Sequence, residues 1–316
     1  MKNALALLLC RRCRGPVLVM LLMVVHAVNA IAGTAEESLE RGVQRAEQGD
    51  YPGAIADFSR SIRLRPKNPE AYYNRGLARG FAGDLKGAVG DYTKAISLDP
   101  RAVGAYNNRG FTRASLGDYA AAIADISMAI ALAPKIPELY NNRGTVRTSM
   151  KDYRGAIADF DKALQLDSRL VGVYNNRGLA KGMLGDIAGA IDDFTTSVTL
   201  DQRYTAAWYN RGNARVALDD AKGAIEDYSK ALVLDPKMLV AWNNRAFARL
   251  KLGDHAGAIS DLGMIISIAP GSATGWYNRG VAKKLSGDRA GAIDDLRRAA
   301  ELGDSLAVEM LKELLK

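Results

Sequence analysis

The sequence predicts an all-α solenoid of eight stacked helix hairpins, and three observations carry the prediction. The tripeptide Asn-Arg-Gly, or a one-residue variant, returns every 34 residues from Tyr72-Tyr73-Asn74-Arg75-Gly76 to Trp276-Tyr277-Asn278-Arg279-Gly280. Each unit holds two stretches with helical spacing, and nothing reads as a strand. Between the two stretches stands a stop-start signal, most often Gly-Asp. A fixed period of this length means one supersecondary unit stacked on itself.

The first 32 residues are of another kind. Lys2, Arg11, Arg12 and Arg14 give a basic start, an apolar run follows from Pro16 to Val28, and small residues stand at Ala30 and Ala32. That order predicts a signal peptide cleaved near Ala30 or Ala32, hence an exported, most readily periplasmic, chain. The run is shorter than the roughly 20 residues of a membrane span, so a membrane-held form requires that it stay uncut. Removal takes four basic residues and no acidic one, lowering the net charge from +8 to +4. Both cysteines, Cys10 and Cys13, leave with it.

From Ala35 the units run 35–68, 69–102, 103–136, 137–170, 171–204, 205–238, 239–272 and 273–306, with positions numbered 1 to 34 in each. In the first helix, position 8 is Gly in seven units. The turn follows, with Gly49, Gly83, Gly117, Gly185, Gly253 and Gly287 placed to take the left-handed conformation that ends a helix. Asp50, Asp84, Asp118, Asp152, Asp186, Asp220, Asp254 and Asp288 then cap the second helix. That helix carries Ala at position 20 throughout, facing the glycine for close approach, and a large residue at position 24. After the last unit, Ser305–Leu315 reads as one more amphipathic helix, its 307–316 portion serving as a terminal cap. At the other end, Ser38 and Glu40 replace the aromatic and the Asn, which suggests an exposed start.

The aromatic at 4, Gly at 8, Ala at 20, aromatic at 24, Ala at 27 and Pro at 32 together resemble the tetratricopeptide repeat over 35–306. The resemblance implies a right-handed α-solenoid superhelix whose concave face is lined by the first helices. It also implies that positions 2, 5, 6, 9, 12 and 13 face that groove, and that the function is protein or peptide binding.

Two departures from the family pattern carry information. Position 7 is Arg in all eight units and position 11 is Arg or Lys, four residues along the same helix face. Position 23 is Asp in all eight, so internal pairing is expected, within a repeat or across the next interface. The other reading is a basic stripe for phosphate, nucleic acid or an acidic peptide. Export and the lack of a stacking platform beside it argue against nucleic acid.

The second departure is an Asn row at position 6: Asn74, Asn108, Asn142, Asn176, Asn210, Asn244 and Asn278. Asn107, Asn141, Asn175 and Asn243 add a second amide at position 5. An amide offers donor and acceptor, so a ladder of them suits an extended peptide's backbone. Glycosyltransferases with tetratricopeptide superhelices are similar in using such a ladder. Leu77, Phe81, Phe111, Leu179, Met183, Phe247 and Leu285, at positions 9 and 13, would take the peptide's apolar side chains. The competing use is stacking, each amide bonding a neighbouring repeat's backbone. The family's chaperone-binding members use Lys at position 5, which no unit here has.

Catalytic equipment is sparse. His255 is the one histidine beyond residue 32 and reads as a packing substitution; no catalytic residue, metal site or cofactor is expected. The expected function is a non-enzymatic scaffold or adaptor binding an extended peptide in the groove outside the cytoplasm. The alternative is a membrane-anchored assembly factor for an envelope or secretion complex. Oligomeric state turns on how well Ser38–Glu47 and the final helix cap the two ends.

Overall fold

The computed structural model describes residues 34–316. The expected signal segment, with Cys10 and Cys13, lies outside them. Among the described residues all regular structure is helical, and no helix is long and apolar enough to cross a membrane. The first helices of the repeats are α1 (34–47), α3 (Pro69–Phe81), α5 (Val103–Ser115), α7 (Pro137–Ser149), α9 (Val171–Met183), α11 (Thr205–Ala217), α13 (Leu239–Lys251) and α15 (Ala273–Ser286). The second helices are α2 (Tyr51–Leu64), α4 (Leu85–Leu98), α6 (Tyr119–Leu132), α8 (Tyr153–Leu166), α10 (Ile187–Leu200), α12 (Ala221–Leu234), α14 (His255–Ile268) and α16 (Arg289–Glu301). The last helix is α17 (Ser305–Leu314).

The chain forms two compact units, one ending at Val146 and the other starting at Arg147. In the first, α2 to α6 pack each on the next, and α3 also touches α5. In the second, α8 to α17 do the same, with α9 touching α11 and α11 touching α13. Contacts between successive first helices make one face of each unit.

The turn chemistry is as the sequence implies. The six turn glycines have φ between 77° and 89°, a conformation open to them because they lack a Cβ. Where glycine is absent, Lys151 and Asp219 adopt it anyway, at φ 64° and 67°. Every capping aspartate accepts from the amide three residues on, Asp152 from Gly155 N at 3.0 Å and Asp254 from Gly257 N at 2.9 Å.

Within a hairpin, the large residue at position 24 lies directly over the glycine at position 8. A Cβ on Gly178 would stand 2.8 Å from the Phe194 ring, and one on Gly212 would stand 2.7 Å from Tyr228. The small residue is therefore the seat of the ring, more than a general aid to close approach. The seventh repeat solves the same contact differently, pairing Ala246 with Leu262 in one buried cluster.

Position 23 holds the array's charge. Asp227, 1% exposed, accepts from Arg211 Nε at 3.0 Å and Nη2 at 2.7 Å, and Arg215 Nη1 stands 3.1 Å away. The same two bases clamp Asp57, Asp91, Asp125, Asp193, Asp261 and Asp295 from positions 7 and 11. The position-7 guanidinium is shared further. It lies over the position-4 ring of its own helix, 5.6 Å from Tyr72 for Arg75 and 4.8 Å from Trp208 for Arg211. In the second to seventh repeats its remaining amino group reaches back to the preceding repeat at position 25, Arg75 to Ser59 Oγ at 3.0 Å and Arg245 to Ser229 Oγ at 2.8 Å, whereas Arg279 meets Gly263, which has no side-chain acceptor. Arg177 meets Asp161 there at 2.6 Å. The Asp193 hydrogen bond, against burial and helped by Asp161, raises the Arg177 guanidinium above its ordinary range. The Asp57 carboxyl is held below its ordinary value, first by its hydrogen bonds from Arg41.

At the ends, α17 covers the last repeat's apolar face, with Ala307 and Leu314 buried against Leu296 and Ala299. Its cap is Asp304, accepting from Ala307 N at 3.0 Å. The start differs from expectation. Ser38 is buried, its hydroxyl donating to the Thr34 carbonyl at 2.7 Å one turn back, and of the two replaced residues only Glu40 is exposed.

Two outcomes follow for stability. Asp227→Ala leaves two bases facing a buried gap and should cost about 3–5 kcal/mol in a denaturant melt; a surface pair would cost under about 1 kcal/mol. Gly178→Ala should cost about 1–3 kcal/mol by pushing the Phe194 ring. Adding Phe194→Leu, which copies the Ala246–Leu262 pair, should recover part of that loss in the same melt.

Candidate peptide-binding face

The Asn row lies on the face made by the first helices, and its amides are tied to one another. Each position-6 Nδ2 whose contact is resolved donates to the position-5 side chain of the preceding repeat. In the first unit, Asn108 reaches Tyr73 Oη at 3.0 Å and Asn142 reaches Asn107 Oδ1 at 3.0 Å. In the second, Asn210 reaches Asn175 Oδ1 and Asn278 reaches Asn243 Oδ1, both at 2.8 Å, and Asn244 reaches Tyr209 Oη at 3.2 Å. Positions 5 and 6 also join laterally, Asn107 to Asn108 at 3.0 Å and Asn141 to Asn142 at 3.5 Å. The stacking use of the row is therefore real, but it runs through side chains and not through the neighbouring backbone.

Geometry explains where the ladder begins. The repeat before Asn74 carries Leu39 at position 5, which has no acceptor, and the Asn74 amide has no hydrogen-bond partner among the described residues. All seven position-6 amides are half-buried, while Asn175 at position 5 is buried. Asn210 and Asn278 each spend one N–H on the ladder. That leaves each a second N–H and a carbonyl oxygen at a half-buried surface.

Beside the amides stand the apolar side chains. Phe81 is 70% exposed and stacks on Tyr51 with ring centroids 5.2 Å apart. Phe111, Leu179, Met183, Phe247 and Leu285 are exposed, and Leu77 is half-buried. In the second unit, two hollows flank Phe247. One of about 310 Å³ lies between α11 and α13, lined by Asn213, Val216, Tyr228, Asn244 and Phe247 among others. The other, about 210 Å³ between α13 and α15, is lined by Phe247, Leu250, Tyr277, Asn278 and Val281 among others.

One member of this face escaped the sequence reading. Asn213 stands at position 9, where an apolar residue was expected. Its Oδ1 accepts from Tyr228 Oη at 2.8 Å and from Asn244 Nδ2 at 3.0 Å. The available signal was the break in apolar character at that position. Burial pushes the Tyr228 phenol up, out of its ordinary range, and does the same for Tyr92.

The basic stripe is not open to a ligand in the way its alternative reading needs, because positions 7 and 11 are committed to the aspartates. His255 opens α14 half-buried, with its Nδ1 buried and without a hydrogen bond. Among the described residues no three His, Cys, Asp or Glu side chains gather as a metal site.

Family models for the tetratricopeptide repeat match residues 69–101, 91–124, 137–170 and 205–238, and a further TPR repeat model matches 42–80. A search of curated proteins finds no match. Among solved structures, a tetratricopeptide repeat protein from Parabacteroides merdae is similar at 22% identity and TM-score 0.60, over 80% of this chain and 97% of its own. PilW, a type IV pilus biogenesis factor, is similar at 18% identity and TM-score 0.59, over 64% of this chain and 94% of its own. MamA is similar at 24% identity and TM-score 0.50, over 54% of this chain and 94% of its own. At these identities the likeness is one of fold.

Proposed function

Because these repeats are tetratricopeptide repeats, we propose that the chain is a non-enzymatic scaffold that binds extended protein segments along the first-helix face of each unit. The observation that carries this reading is the set of large apolar side chains left exposed there, Phe81 and Phe111 in the first unit and Met183, Phe247 and Leu285 in the second, each set beside its own amides. Exposed apolar groups on one face mark interaction surfaces when polar groups accompany them. The amides fit an extended backbone, which offers alternating donors and acceptors, and the hollows beside Phe247 fit side chains. The ladder's internal bonds orient the amides before a ligand arrives, which lowers the entropy cost of binding.

The order of basic, apolar and small residues over 1–32 supports export, with binding then taking place outside the cytoplasm. The mature protein should begin at Ile31 or Gly33 by N-terminal sequencing. A start at Met1 in the envelope fraction would favour the membrane-held reading instead.

The face itself is tested with a displayed random-peptide library and the purified chain. Phe111→Ser and Phe247→Ser remove exposed rings and should leave the melting temperature unchanged. Together they should lower peptide retention by about tenfold or more, the scale of two lost apolar contacts. Undiminished retention by the folded double variant would place binding elsewhere.

A further inference from the structure

The two hollows flanking Phe247 differ in chemistry. The hollow between α13 and α15 has Phe247 at the position-9 place of its leading helix and apolar Leu250 and Val281 around it. The hollow between α11 and α13 has Asn213 at the equivalent place, against the apolar walls of Val216, Phe247 and Ala248. Asn213 is not free to turn, because its Oδ1 accepts from both Tyr228 and Asn244. Its Nδ2 donates to no group among the described residues. The amide therefore presents N–H groups, and not its oxygen, to the hollow.

The rim adds a second donor. Lys251 lines the same hollow and pairs with Asp219, both side chains well exposed. Asp219 occupies the left-handed turn position, φ 67°, that glycine fills in six other repeats. A non-glycine residue is costly there. Its carboxylate holds the Lys251 ammonium beside the hollow.

Resting on the peptide-binding reading of this face, we propose that the α11–α13 hollow is a subsite for a glutamate side chain of the bound segment. The methylenes of glutamate lie against Val216, Phe247 and Ala248, and its carboxylate accepts from Asn213 Nδ2 and Lys251 Nζ. An ionised carboxylate only accepts, and both polar groups offered to it only donate. A glutamine would bring an NH₂ group with no acceptor provided for it. A lysine would face two donors. Asp219 competes with the ligand for Lys251 and so tempers the preference.

The test uses synthetic peptide pools, random except for one central residue fixed as Glu, Gln, Leu or Lys, and the purified full chain. The wild type should retain the Glu pool about fivefold or more over the Lys and Leu pools, the scale of a charge-assisted hydrogen bond. Asn213→Val, which installs the residue found at position 9 as Val281, should bring the pools to within about twofold of one another. Lys251→Met alters an exposed side chain, so it reads the subsite even where Asn213→Val unfolds the repeat, and it should weaken the Glu preference. Asp219→Gly should sharpen it. Pools retained without a Glu preference, or a preference unmoved by Lys251→Met, would overturn the subsite while the face remains a binding surface. Retention of no pool would overturn the binding reading of the face and the subsite with it.

Discussion

A buried carboxylate at position 23 is the constraint around which each repeat is arranged. Asp227 sits where an uncompensated charge would be prohibitive, so the chain must deliver bases to it. It does so twice, from positions 7 and 11 of the partner helix, which fixes how the two helices of a hairpin meet. The position-7 guanidinium is too large to be used up by one carboxylate. Its ring contact at position 4 and its bond to position 25 of the preceding repeat turn a hairpin clamp into a joint between hairpins. Removing the aspartate thus strands two cations and loosens contacts in two repeats.

The same economy governs the ligand-facing side. An amide at position 6 reaches back to position 5 of the repeat before, so stacking and presentation share one side chain. An amide held by one hydrogen bond is oriented, and its remaining groups point where the ladder leaves them. The large apolar side chains at positions 9 and 13 take no part in the ladder, and apart from the half-buried Leu77 those named stay exposed. This division separates residues that hold the array from residues that a partner would cover.

Much of the fold was legible because each repeat states its structure several times over. Gly49 and its equivalents announce the turn, Asp50 and its equivalents the cap, and Ala54 and its equivalents the close helix contact. The pairing of the Arg and Asp rows was legible too, since unpaired guanidinium groups on a packing face are too costly to stand alone. What stayed hidden depends on distances that no spacing reveals. That Phe194 would sit on Gly178 itself, that Arg75 would reach Ser59, and that the Asn amides would bond side chains rather than backbone all need helices placed to within an ångström. Ser38 misled because a small polar residue at an aromatic position looks like a surface residue, whereas its hydroxyl is satisfied one turn back and the residue is buried. Asn213 was missed because a polar residue in two of eight copies, Thr145 being the other, looks like drift until its two accepted bonds are seen.

The ladder has a consequence for how such a chain changes length. Its bonds always run from one repeat to the one before, donor at position 6 and acceptor at position 5. For the ladder, a junction therefore asks only two things of its neighbours, an Asn on one side and an Asn or Tyr on the other. Any repeat meeting those terms continues the ladder, so duplication or loss of a whole interior unit leaves this line of bonds intact. Leu39 breaks the rule, so the first repeat would fit no other place without orphaning the amide behind it. The interior is thus interchangeable in its ladder bonds while staying distinct in what it displays, and a copied α11–α12 unit would bring Asn213 with it.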